Sequence, residues 1–128
     1  MNLLVSKEIG EKVICYGFSA GAYSLLKLAS VTTIDKIILV SPSPFFPELI
    51  GGFDKEDKKY LFIENMKETL HEVCSLVKSK EVEVYVGEKE TDFMKETAKL
   101  IANEFGVQLN VVEGMQHDEK LFNKVLEK

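Results

Sequence analysis

The sequence is poor in the residues from which metal sites and disulfides are built. It contains two cysteines, Cys15 and Cys74, and two histidines, His71 and His117. These residues lie far apart along the chain and show no metal-ligand spacing. Each cysteine falls within an apolar strand or helix pattern, which is typical of small buried side chains. The sequence therefore predicts neither a metal site nor a disulfide.

Long apolar runs and an excess of positive charge are also missing. No apolar run approaches the roughly 20 residues that span a bilayer. The first residues show no basic and apolar series typical of a secretion signal, so none is expected. The net charge of −5 argues against nucleic-acid binding through a broad basic surface. We therefore expect a cytoplasmic protein whose partners include neither a membrane nor a nucleic acid.

Short strand patterns alternate with amphipathic helix patterns along the 128 residues. The four strand patterns are Lys12–Tyr16, Lys36–Val40, Glu81–Val86 and Val107–Val112. The helix patterns are Ala20–Ala29, Tyr60–Ser79, Asp92–Phe105 and the residues from Asp118 onward. Such alternation favours parallel strands joined by right-handed crossovers. The expected fold is an α/β three-layer sandwich with a short, mainly parallel four-stranded sheet.

An irregular segment of about residues 41–59 interrupts this alternation. All three prolines and the pair Gly51-Gly52 lie in it. It is long for a connection in a compact domain, which is typical of a functional or mobile loop. We expect a single domain of residues 1–128 with this segment as a cap-like loop.

The run Gly17-Phe18-Ser19-Ala20-Gly21 follows the first strand pattern and opens the first helix pattern. G-x-S-x-G in this context is typical of a nucleophile elbow, whose strained turn projects the serine hydroxyl above the sheet. Glycines on either side remove Cβ atoms that would clash there. The helix N-terminus supplies free N–H groups, so Ala20, with Phe18 beside the serine, is expected at the oxyanion. The competing interpretation is a tight glycine turn with an N-capping serine.

A serine nucleophile needs a base and an orienting acid. His117 follows the last strand pattern, and functional side chains gather beyond the C-terminal ends of parallel strands. His117 is therefore the candidate base, although a loop histidine is often an exposed surface residue. His71 stands mid-helix among polar neighbours and is expected on the surface.

The order and context of these residues resemble the α/β-hydrolase family, from its fifth to its eighth strand. The turn Gly87-Glu88-Lys89-Glu90-Thr91-Asp92 resembles the family's turn after the seventh strand, in which an acid often stands three residues past a glycine. The resemblance implies Glu90 as the triad acid, with Asp92 as the alternative. Thr91 or Asp92 is a natural N-cap for the next helix, and capping is the competing role of Asp92.

The same resemblance implies a substrate pocket beside the elbow. Val40-Ser41-Pro42 resembles the end of the family's sixth strand, where the chain turns over the site. Phe18, Pro42, Phe45 and Phe46 are the residues expected to contact substrate. Packing the long loop onto the core is an equally good role for the loop phenylalanines.

One large departure from the family is expected. Its first four strands, and the loop that normally supplies a second oxyanion N–H, have no counterpart in the sequence. Residues Met1–Gly10 resemble the end of the helix that precedes the fifth strand. The strand of residues 12–16 would then be an open apolar edge. There are three alternatives: the chain is a fragment or shortened gene product, N-terminal residues fold over the edge, or two copies pair there. Of these, we expect a homodimer through this edge.

Three functions compete on these grounds. The first is a serine hydrolase that cleaves ester or thioester bonds of small molecules through a Ser-Glu/Asp-His triad, which implies no metal or organic cofactor. The second is a catalytically impaired hydrolase-like module that binds a protein or a small ligand. The third is a flavodoxin-like binding domain, for which a phosphate-cradling glycine-rich loop is missing. The hydrolase is the function that the motifs favour.

Overall fold

The structure, a computed structural model, describes residues 3–42 and 67–128. These residues contain a five-stranded mixed sheet whose strands stand side by side in chain order. The strands are β1 (Leu4–Ile9), β2 (Lys12–Phe18), β3 (Lys36–Val40), β4 (Glu81–Gly87) and β5 (Leu109–Val112). Strands β2 to β5 are parallel, whereas β1 pairs antiparallel with β2. The four predicted strands are confirmed, and β1 is an additional one.

The expectation of a helix over Met1–Gly10 is wrong for its described part, since Leu4–Ile9 is a strand. Strand β1 forms a hairpin with β2 through Gly10 and Glu11, and Ile9 pairs with Lys12. Gly10 has φ +65°, and glycine is the residue that two-residue hairpin loops favour at this position. Gly10 therefore favours a hairpin over the helix that the apolar residues before it suggest.

The pairing of β1 agrees with one expected alternative, N-terminal residues folded over the edge at residues 12–16, and overturns the expectation that this edge is open. The register runs from Leu4 opposite Gly17 to Ile9 opposite Lys12, so β1 covers that side of β2 along its length. A second copy cannot pair where β1 already does. The expected homodimer through this edge thus loses the observation that motivated it.

Helices cover both faces of the sheet. They are α1 (Ala20–Val31), α2, of which residues 67–75 are described, α3 (Asp92–Glu104) and α4 (Glu119–Leu126). Helices α1, α2 and α3 contribute to one core cluster, where Leu25, Leu70 and Ile101 are fully buried. Helix α4 packs Leu121, Phe122 and Val125 against the other face. The result is the predicted three-layer arrangement.

Strand β3 lies at the centre of the sheet and explains its apolar sequence. Ile37 and Leu39 belong to the core under α1 to α3, whereas Ile38 and Val40 belong to the core under α4. Burial of a strand on both faces favours a continuous apolar run. Replacing a side chain such as Leu39 by alanine would cost about 2–5 kcal/mol of stability.

Part of the sequence-based prediction lies outside the described residues. Of the expected cap-like loop of residues 41–59, Ser41 and Pro42 are described, and both are buried. Residues 43–59, including Phe45 and Phe46, fall outside the described ranges, as does the beginning of the predicted helix Tyr60–Ser79. Among the helices of residues 3–42 and 67–128, none is long and apolar enough to cross a membrane.

Candidate active site

Ser19 occupies a one-residue turn between a strand and a helix. Strand β2 ends at Phe18 and α1 begins at Ala20. Ser19 has φ 57° and ψ −120°, a conformation that costs a non-glycine residue on the order of 1–3 kcal/mol. Its N–H donates to the carbonyl oxygen of Val40 at 3.0 Å, and its carbonyl accepts from Ala22 N–H at 3.0 Å. Neighbouring structure therefore holds the strained turn in place.

The two glycines of the motif allow backbone segments to meet closely at this turn. A Cβ atom at Gly17 would lie 2.6 Å from the carbonyl oxygen of Gly21. At Gly21, a Cβ would lie 2.2 Å from the carbonyl oxygen of Leu3, just before β1. The predicted steric need for glycine is thus confirmed at both positions. At Gly21 the obstacle is the N-terminal segment rather than the elbow itself.

His117 stands in the connection between β5 and α4, next to Ser19. Its Nε2 atom lies 3.0 Å from Ser19 Oγ, within hydrogen-bonding distance. The ring packs on Phe18, with 5.0 Å between ring centroids. Phe18 in turn stacks on Phe122 of α4, with a centroid separation of 5.4 Å. Phe18, itself supported by Phe122, therefore packs against one face of the imidazole.

Glu90 lies in the turn after β4 and contacts the other nitrogen of the same imidazole. Its Oε1 atom lies 2.8 Å from His117 Nδ1, and its Oε2 accepts the Gly87 N–H at 2.6 Å. The residue is only 7% exposed. Burial disfavours its charged form, but hydrogen bonds from His117, Ser41 and Gly87 outweigh burial and hold the pKa of Glu90 below its ordinary value.

Asp92, the alternative acid, is placed differently. It is exposed and is the first residue of α3. Among the described residues, no hydrogen bond joins it to His117. Of the two residues expected as the helix cap, Thr91 is the cap and Asp92 is not, since the Thr91 hydroxyl accepts the Met94 N–H at 3.3 Å. The histidine contact belongs to Glu90.

Backbone contacts join the turn that carries Glu90 to the loop that carries His117. Glu88 N–H donates to Val112 at 2.9 Å, and Lys89 N–H donates to Met115 at 2.9 Å. The Glu88 carboxylate accepts the Gly114 N–H at 3.0 Å. These bonds set the separation of acid and base independently of their side chains.

Ser41 is a buried member of the site that the sequence did not predict. Its hydroxyl donates to Glu90 Oε1, and its Oγ lies 2.6 Å from His117 Nδ1. A serine directly after an apolar strand carries no recognisable motif. Its position at the C-terminal end of β3, between β2 and β4, is the signal that could have identified it.

The expected roles of Phe18 require correction. Its N–H donates to the carbonyl oxygen of Leu3 at 2.9 Å and is not available to an oxyanion. Its side chain is only 4% exposed and packs beneath His117, which leaves little of it to contact a substrate. Ala20 N–H, at the beginning of α1, has no hydrogen-bond partner among the described residues and remains the candidate donor.

The other residues considered for chemistry lie away from this cluster. His71 is exposed and bonds to Glu104 at 2.8 Å, in agreement with its expected surface position. Cys15 and Cys74 are buried free thiols, and burial raises the pKa of Cys74 to about 12. Across residues 3–42 and 67–128, no three His, Cys, Asp or Glu side chains group as metal ligands would.

Known proteins resemble this chain in structure but not detectably in sequence. No family model matches the chain, and no curated protein matches its sequence. A solved structure does resemble it, the crystal structure of a Paleococcus ferrophilus monoacylglycerol lipase. The TM-score is 0.56 at 15% identity, and the match covers 92% of this chain and 68% of the lipase chain. The sequence-based resemblance is thereby confirmed at the level of fold: the chain is similar to an α/β-hydrolase.

Proposed function

We propose that the chain is a serine hydrolase that cleaves ester or thioester bonds of small molecules. One observation carries the proposal. His117 lies between Ser19 and Glu90, with Nε2 3.0 Å from the hydroxyl and Nδ1 2.8 Å from the carboxylate. A nucleophile beside a base, and a base oriented by a buried acid, is the arrangement that activates a serine.

Acylation of Ser19 would be the first half of the reaction. Ser19 Oγ attacks the carbonyl carbon of the substrate while His117 Nε2 takes the hydroxyl proton. Glu90 stabilises the imidazolium that forms and keeps the remaining proton on Nδ1. Ala20 N–H donates to the oxyanion, where the positive end of the α1 dipole adds to the stabilisation.

Collapse of this intermediate breaks the bond to the leaving group. His117 Nε2 returns its proton to the departing alcohol or thiol, and an acyl ester remains on Ser19. Water then attacks the ester carbonyl and gives a proton to His117. The second collapse releases the carboxylic acid and restores the Ser19 hydroxyl, so each turnover consumes one water.

Substrate contacts within the proposal rest on the sequence resemblance. Pro42 is buried immediately after Ser41, at the end of β3 where the site lies. Phe45 and Phe46 are proposed to continue this lining from the segment that follows. We therefore propose that the acyl group of the substrate is uncharged.

Hydrolysis of p-nitrophenyl acetate, an activated ester, and of S-phenyl thioacetate, an activated thioester, tests the proposal. We expect turnover by the native chain and loss of at least about 10³-fold in kcat for Ser19→Ala and His117→Ala. Ser24→Ala is a matched control because Ser24 is exposed on α1. Turnover that survives in Ser19→Ala would contradict the assignment. A folded native chain inactive toward both esters would favour a binding module instead.

A further inference from the structure

Ser41 lies where the elements that carry Ser19 and Glu90 come closest. It follows β3, which stands between β2 and β4 in the sheet. The Ser41 N–H donates to the carbonyl oxygen of Tyr85 at 2.7 Å, and the preceding carbonyl, that of Val40, accepts the Ser19 N–H at 3.0 Å. The backbone at the end of β3 therefore contacts both neighbouring strands.

The Ser41 side chain completes a closed ring of hydrogen bonds. Its hydroxyl donates to Glu90 Oε1, its Oγ lies 2.6 Å from His117 Nδ1, and Nδ1 lies 2.8 Å from the same carboxylate oxygen. An ionised carboxylate can only accept, so the hydroxyl proton points to Glu90. The Nδ1–H of His117 then donates to both Ser41 Oγ and Glu90 Oε1.

The backbone of Ser41 indicates that the hydroxyl is needed at this position. Ser19 and Ser41 are the non-glycine residues with positive φ in the described part of the chain, and φ at Ser41 is 47°. Glycine would adopt this conformation without strain. Strained non-glycine residues cluster at functional sites, and both residues of this kind contact His117.

We propose that Ser41 is a positioning residue for the serine hydrolase reaction. The proposal rests on the function proposed above for Ser19, His117 and Glu90. By accepting from Nδ1, Ser41 favours the tautomer whose Nε2 accepts from Ser19. By donating to Glu90, it fixes the carboxylate oxygen that faces the imidazole. When His117 gains the proton of Ser19, this oxygen pair stabilises the positive charge.

Two Ser41 variants distinguish the effect of the hydroxyl on kcat from the effect of the strained backbone. Ser41→Ala removes the hydroxyl and keeps the strain, whereas Ser41→Gly removes both. For p-nitrophenyl acetate we expect kcat to fall roughly ten- to a hundredfold in both, with KM little changed. Ser75→Ala, which removes an exposed helical hydroxyl, is the control. A native kcat in either folded variant would overturn the proposal.

Proton NMR of His117 tests the positioning without turnover. We expect a far-downfield Nδ1–H resonance in the native chain, assigned by its loss in His117→Ala. It should move upfield or exchange faster with water in Ser41→Ala and Ser41→Gly, and stay unchanged in Ser75→Ala. An unchanged resonance in the folded Ser41 variants would overturn the proposal, as would failure of both variants to fold.

The kinetic and NMR measurements distinguish failure of the hydrolase function from failure of the positioning role of Ser41. If the native chain cleaves neither activated ester, the proposed hydrolase function fails, while the resonance still reports whether Ser41 orients His117. If the chain is active and the resonance does not respond to Ser41, the hydrolase function stands and the positioning role falls.

Discussion

Every oxygen of the Glu90 carboxylate has a partner. Oε1 lies against His117 and Ser41, and Oε2 accepts the Gly87 N–H. Such a carboxylate has its negative charge directed at the imidazole. The hydrogen bonds of this site also depend on the negative charge of Glu90. Protonation of the buried carboxyl would leave donors that now bond to it unsatisfied.

Neutralising Glu90 tests its role against that of Asp92. Glu90→Gln retains the shape of the side chain but presents an amide to His117, and we expect kcat to fall by about 10³–10⁴-fold. Asp92→Asn, the matched control, should keep a near-native rate because Asp92 is exposed at the beginning of α3. The measurement is hydrolysis of an activated acetate ester. A larger loss in Asp92→Asn would assign the acid to Asp92.

The lowered pKa of Glu90 predicts a dependence of stability on pH. Because the folded-state pKa lies below the unfolded value, ionised Glu90 stabilises the fold above the ordinary glutamate pKa of about 4.3. This contribution is lost as the pH falls through the folded-state value. Urea unfolding between pH 7 and pH 3 should show the native chain losing its stability advantage over Glu90→Gln. A difference independent of pH would contradict the shift.

The sequence singled out residues that stand in a local pattern, and the structure brings three of them together. Ser19 stands in a recognisable strand-to-helix motif, and Glu90 and His117 each follow a strand at the expected place. Ser41 could not be found in this way, because its role arises when three separate strands end side by side. The Phe18 N–H was misassigned because its partner, Leu3, lies just before a strand that was not expected.

At the scale of elements, α1 and the N-terminal segment fit closely around Gly21. The ideal Cβ at this residue would meet the Leu3 carbonyl oxygen at 2.2 Å. The same carbonyl accepts the Phe18 N–H. The segment before β1 can therefore lie against the start of α1 only because Gly21 has no side chain.

Gly21→Ala is expected to destabilise the fold although alanine is the better helix former. Helix propensity alone would favour alanine by roughly 1 kcal/mol, but the clash with Leu3 should reverse the sign and cost about 1–3 kcal/mol. Ser24→Ala, at an exposed position of the same helix, should stay within about 0.5 kcal/mol of native. Urea unfolding compares the two. A stabilised Gly21→Ala would show that Leu3 does not lie against α1.

Strand β1 shows why local patterns can fail for an element. Its sequence, LVSKEI, alternates weakly, and none of its residues is buried, with Ser6, Glu8 and Ile9 exposed. The residue that decides its structure is Gly10, which turns the chain so that β1 can pair with β2. Strand β3, whose apolar pattern is strong, has the predicted bounds Lys36–Val40, because its apolar residues face two cores.

For the molecule as a whole, β1 covers the edge of β2 that the sequence was expected to leave open. Without it, β2 would present unpaired N–H and C=O groups along an apolar strand, a template for association. Its antiparallel direction was not predictable from strand–helix alternation, which applies to crossovers between parallel strands. The mixed sheet follows from this hairpin.

Removing the residues before Gly10 tests this account of the sheet. We expect the shortened chain to self-associate at micromolar concentration, because the edge of β2 becomes free. The full chain should not associate through this edge. Light scattering with size-exclusion chromatography distinguishes the two. A shortened chain that stays monomeric and equally stable would mean that β1 does not protect the sheet.

Labelling with a fluorophosphonate probe, read by intact mass, asks whether the fold activates Ser19 as a nucleophile, as we propose. The probe reacts with an activated serine without requiring knowledge of the substrate. We predict one adduct on the native chain, none on Ser19→Ala, and strongly slowed labelling of His117→Ala and Glu90→Gln. A folded native chain that gains no adduct, or a Ser19→Ala chain that gains one, would contradict the claim.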